Sequence, residues 1–128
     1  IFINTKLIAP IIFIKKMLNK VKVERPIKLI FLAGSTKIKP IDLILYDIVN
    51  RAILALVEEI NFHYGGKFKA YFLEIPILSK STLGDNYLTI HPDLKGSAID
   101  PSIVYQNIYK IINDGVNTGI IKIKEDSI

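Results

Sequence analysis

The chain has 128 residues, half of them hydrophobic and 23% charged, with a formal net charge of +5 and no cysteine. That apolar content argues against disorder, and the missing cysteines exclude disulfides, thiolate catalysis and cysteine-held zinc or iron–sulfur sites. The length fits one domain over residues 1–128, and no apolar run reaches the roughly 18 to 20 residues that span a bilayer.

Residues 1–9 are apolar and β-branched and predict a short strand ending at Pro10. From Pro10 to Val21, the apolar Ile11, Ile14, Met17, Leu18 and Val21 follow helical spacing, with Lys15, Lys16, Asn19 and Lys20 opposite. One amphipathic helix is expected there. Ile27 to Leu32 then runs almost continuously apolar, the pattern of a central strand covered on both faces, and closes in the small-residue turn Ala33-Gly34-Ser35-Thr36. A long, mostly buried helix follows from Ile41 or Asp42 to about Phe62, ended by Gly65-Gly66. Lys67 to Ile77 forms the next strand, and Ser79 to Asp100 reads as a long polar loop.

Asp100-Pro101 pairs an N-cap with proline at the first helical position. It starts a helix with Val104, Ile108, Ile111 and Ile112 as its buried stripe, closed by Gly115. Gly119 to Lys124 alternates like an edge strand. The resulting order predicts an α/β three-layer sandwich, a mostly parallel sheet of about four strands flanked by helices. Ligands of such sheets gather at the carboxyl ends of strands, so the turn after Leu32 and the segment after Ile77 should lie together.

Charge is unevenly spread. The first 40 residues hold nine basic residues against one acid, a balance of +8, and the rest balance at −3. Such a region could meet nucleic acid, an anionic surface or a protein partner. With only two arginines, the residue suited to reading phosphates and bases, nucleic acid is disfavoured and a solvated lysine face is the simpler reading. The apolar content is compatible with self-association.

Two places could carry chemistry. The Gly34-Ser35-Thr36 turn with Lys37 could present backbone N–H groups to an anion or expose Ser35 as a nucleophile, although neither a P-loop nor a dinucleotide fingerprint is present. A plain strand-to-helix turn explains the same residues. The second place is Ile90-His91-Pro92-Asp93-Leu94-Lys95-Gly96, preceded by Asp85, where His91 has the pKa range of a general base. A surface histidine is its bland counterpart, and His91 with Asp85 and Asp93 forms no recognisable metal motif. No cofactor is implied. The aromatic set Phe62, Tyr64, Phe68, Tyr71 and Phe72 could stack on a ligand but reads more simply as core. Tyr105 and Tyr109 could face a sugar or flank the buried stripe, and His63 is expected on the terminal carbonyls of its helix.

Four segments taken together resemble the C-terminal half of the SGNH or GDSL esterases, including carbohydrate acetyl esterases. They are L-I-F-L-A-G-S-T, the long helix, the strand A-Y-F-L-E-I-P, and H-P-D-L-K-G-S-A-I-D-P leading into the last helix. The resemblance implies His91 as catalytic base, with Gly34 and Thr36 in the turn that helps form an oxyanion or ligand-binding site. Ser35 is the serine that could serve as nucleophile. The family's supporting aspartate falls on Leu88 here, leaving Asp85 as the nearest upstream acid. No G-D-S block precedes Ile27, and the turn lacks the family's asparagine. The expectation is an esterase-like hydrolase for small ester or acetylated carbohydrate substrates, truncated or without activity, or else a non-catalytic binding or assembly domain. The chain begins at Ile1 and reads as a fragment or a mature chain.

Overall fold

A computed structural model describes residues 3–20, 22, 24–34, 44–115, 117 and 119–124. Three strands form one fully parallel sheet in the order β1-β2-β3: β1 (Ile27–Gly34), β2 (Phe68–Ile75) and β3 (Gly119–Lys122). The helices are α1 (Ala9–Lys20), α2 (Ile44–Tyr64), α3 (Thr82–Ile90) and α4 (Pro101–Asp114). The three-layer α/β arrangement is as the alternation of elements predicts.

The sheet divides the core by strand parity. Phe68, Ala70 and Phe72 of β2 point to one face, where they pack with Ile14 of α1 and with Val49, Ile53, Val57 and Ile60 of α2. Tyr71 and Leu73 point to the other face and meet Ile103, Val104 and Ile111 of α4. Each such buried aromatic or leucine contributes about 1.5–3 kcal/mol relative to exposure, so β2 is the strand on which both helical layers depend. The strand order advances in one direction while α2 and α4 lie on opposite faces. The two crossovers are therefore of opposite hand, and one is the uncommon left-handed kind.

Four expectations are corrected. The strand expected over residues 1–9 is helical wherever described: a π-helical turn, Asn4–Ile8, runs directly into α1. The β-branched residues there are overridden by packing, because Leu7, Ile14 and Leu18 recur on one helical face and sit against the core. Pro10 is accommodated without a break just after this turn, where the Ala9 N–H already bonds to the Asn4 carbonyl, five residues back. With that strand gone, the described sheet has three strands rather than about four.

Second, Ile27 to Leu32 is not central. Among the described residues β1 is an edge, and β2 lies in the middle with all but Lys69 and Ile75 buried. Third, the supposed loop Ser79 to Asp100 contains α3 and a 3₁₀ turn, Pro92–Ser97. The Ser81 hydroxyl accepts from Gly84 N–H at 3.0 Å and caps α3. Fourth, the buried stripe of α4 uses Ile103 in place of Ile112, which is exposed. The Asp100 cap, Pro101 at the helix start, the left-handed Gly115 at φ 63° and the alternating edge β3 agree with the sequence reading.

Candidate functional site: a cleft at the strand carboxyl ends

β1 and β2 end in register, Gly34 opposite Ile75, and above them opens a cleft of about 450 Å³. Gly34 forms its floor with Leu32 and Ala33, and Ile75 to Leu78 continue it beyond β2. One wall is the first turns of α2, with Tyr46, Asp47 and Asn50; the other is α3, with Leu83, Gly84 and Tyr87. Lys6 reaches it from the π-helical turn. The cleft thus lies at the carboxyl ends of β1 and β2, between Ala33 and Gly34 on one side and Ile77 and Leu78 on the other, where ligands of parallel sheets gather.

Its lining is mostly apolar with a few placed polar groups, the usual constitution of a small-molecule site. Asn50 is buried, and its amide points at the Gly34 carbonyl from 3.5 Å, at the long limit of a hydrogen bond. Asp47 Oδ2 accepts from Arg51 Nε at 3.1 Å, while no donor among the described residues reaches the buried Oδ1. The backbone approaches closely at two glycines. A Cβ on Gly34 would stand 3.2 Å from a Tyr46 ring carbon, and one on Gly84 would stand 1.9 Å from the Leu78 carbonyl oxygen. At Gly84 the backbone itself occupies the space a side chain would need, whereas at Gly34 a methyl group would only press on the Tyr46 ring.

No family model, curated protein or solved structure matches this chain.

Of the residues singled out from the sequence, Gly34 lines the cleft, and Ser35, Thr36 and Lys37 lie outside the described residues. His91 ends α3 and is half-buried. It does not line the cleft, but its ring lies 4.5 Å, centroid to centroid, from that of Tyr87, which does. Asp85 sits exposed in the first turn of α3, and its carboxylate makes no hydrogen bond or ion pair with His91 or any other described residue. Asp85 and His91 are thus not brought together as a base and its orienting acid. Among the described residues, no group of three or more histidine, aspartate or glutamate side chains could hold a metal ion.

The aromatic set divides between core and surface. Phe68 and Phe72 are buried on one face and Tyr71 on the other, leaving Phe62 and Tyr64 exposed at the end of α2. His63 pairs with Glu59 at 3.0 Å rather than with terminal carbonyls. Tyr105 and Tyr109 form an exposed tilted pair with centroids 6.3 Å apart, flanking the buried stripe of α4.

The basic N-terminal region is partly spent on structure. Lys28 is tied to carbonyls at the end of α4, while Lys15, Lys16 and Lys20 stay exposed on α1. Sequence reasoning missed Lys6, Tyr46, Asn50 and Tyr87 as lining residues. Tyr87 alone had a nearby signal, four residues before His91 on what proves to be one helix.

Proposed function

We propose that this domain binds a small organic molecule, largely apolar with few polar groups, in the cleft at the carboxyl ends of β1 and β2. The observation that carries this reading is the cleft itself, formed where the fold concentrates ligands and lined by apolar side chains around Gly34, Asn50 and Tyr87. Methyl benzoate, a small unreactive ester, is a suitable probe in amide NMR titrations. Shifts concentrated at Gly34, Asn50, Leu78 and Gly84 are the expected result. No shifts, or shifts confined to α4 and β3, would remove the cleft as a ligand site.

A second reading makes the bound molecule a substrate, with the domain acting as an esterase-like hydrolase on small esters or acetylated carbohydrates. Two observations favour it: Ser35 directly follows Gly34 of the cleft floor, and His91 packs on a cleft-lining tyrosine. In this reading His91 would take the proton of a serine hydroxyl as general base, and backbone N–H groups near Gly34 would receive the developing oxyanion. Asp85 in its described position cannot orient His91, so the imidazole would act without an aspartate partner. Release of nitrophenol from p-nitrophenyl acetate by the chain, Ser35→Ala and His91→Ala tests this. Loss of rate in both variants supports the hydrolase; equal rates in all three leave binding without catalysis.

A further inference from the structure

β1 carries the composition of an interior strand but occupies an edge. Its eight residues, I-K-L-I-F-L-A-G, include one charge, whereas β3 at the opposite edge is half as long and carries an exposed lysine, Lys122, among its four residues. One bond sets the hydrogen-bonding phase of β1. Ile27 N–H donates to the Lys67 carbonyl at 2.9 Å, so Ile27, Leu29, Phe31 and Ala33 turn their backbone groups toward β2. Lys28, Ile30 and Leu32 therefore turn theirs away from the sheet, and no described residue pairs with them.

Among the described residues, the devices that usually protect such an edge are missing. β1 has no proline, and its single lysine is drawn onto the carbonyls of Ile111 and Ile112 rather than projecting from the edge. On the same face, Leu32 is left 41% exposed and Ile30 only partly covered, so an apolar strip adjoins the open hydrogen bonds.

We propose that a second copy of this chain completes this edge. The two β1 strands pair antiparallel about a twofold axis at Ile30, merging two three-stranded sheets into one of six strands. A twofold axis imposes antiparallel pairing of a strand with itself. In this register Ile30 faces Ile30, Leu29 faces Phe31, and Lys28 faces Leu32 of the other copy. The outward groups of Lys28, Ile30 and Leu32 then form three hydrogen-bonded pairs, with no like charges opposed.

Light scattering after size exclusion tests this on the intact chain. The expected mass is twice 14.5 kDa at micromolar concentrations, falling to one chain in Leu32→Lys, which sets a lysine opposite Lys28 of the second copy. Amide exchange of the unaltered chain supplies a measure that does not depend on a variant folding: Ile30 and Leu32 should exchange more slowly as concentration rises. A single-chain mass up to 100 µM, or a dimer undisturbed by Leu32→Lys, overturns the proposal. So does slow, concentration-independent exchange at Ile30 and Leu32, which would mean that the chain covers its own edge.

Discussion

Asn61 and Ala70 exchange two hydrogen bonds: the Asn61 amide donates to the Ala70 carbonyl at 2.9 Å, and its oxygen accepts from Ala70 N–H at 2.8 Å. Ala70 turns these groups toward β3, whose first paired residue, Gly119, lies opposite Tyr71. The side chain of α2 thus takes the place of a strand that has not yet begun.

Removing that side chain leaves both groups of the fully buried Ala70 unpaired. Asn61→Ala should therefore lower the unfolding free energy by about 2–3 kcal/mol in urea denaturation. Asn61→Asp should also destabilise, since a carboxylate can accept from the N–H but repels the Ala70 carbonyl. An Asp variant as stable as the parent would show that solvent fills the donor position.

The Lys28 ammonium binds the Ile111 and Ile112 carbonyls, at 2.5 and 2.9 Å, in the last turn of α4. A cation there meets carbonyls without helical partners and the negative end of the helix dipole. Lys28→Met keeps the aliphatic stem and loses the charge, so a loss of about 1 kcal/mol is expected. Faster amide exchange should appear in the last turn of α4 and not in α2.

These contacts mark the boundary of what the sequence discloses. Asp100, Pro101 and Gly115 were legible because caps and left-handed turns depend on one or two residues and their local backbone. The cleft's position was legible because parallel topology alone places it. The neighbours of β1 were not: a run apolar on both faces reports burial, which helices above and below also supply, and says nothing of lateral partners. The Ile-rich start suggests a strand only because strand propensity ignores the packing of Leu7 on the core, which outweighs it. α3 escaped because Gly84 and Asn86 dilute a short apolar pattern, although Ser81 was a visible cap. Lys6, Asn50 and Tyr87 meet only through long-range folding.

Gly84 tests the packing of that short helix. Its Cβ position lies 1.9 Å from the Leu78 carbonyl oxygen and 2.7 Å from Ser81 Oγ, so Gly84→Ala must displace backbone. A loss of about 2–3 kcal/mol is expected, with rapid proteolysis first appearing between Leu78 and Ile90. A fully stable Ala variant would contradict the close approach of α3 to the segment after β2.

Gly34→Ala asks a different question, because its Cβ would meet the Tyr46 ring at 3.2 Å and the Asn50 amide at 3.5 Å. The ring can shift, so stability should change by less than about 1 kcal/mol. The shift narrows the cleft floor, and methyl benzoate should bind at least several-fold more weakly in the NMR titration. Unchanged binding would place the ligand away from Gly34.

Lys80 and Asp100 form an ion pair across 20 residues of sequence, with Lys80 Nζ 2.5 Å from Asp100 Oδ2. The Lys80 hydrogen bond, followed by the Ser102 N–H, holds the Asp100 carboxyl well below the usual range, and Asp100 in turn raises the Lys80 ammonium. A depressed carboxylate contributes stability above its unfolded pKa, about 3.9, and loses it as pH falls through the lower folded value. A raised lysine contributes below about 10.4 and loses its share at higher pH. Asp100→Asn keeps an N-cap acceptor while removing the charge. The stability gap between parent and variant should therefore be widest between about pH 5 and 9, narrowing toward pH 2 and again above pH 11. A gap that does not change with pH would assign the contribution of Asp100 to capping alone.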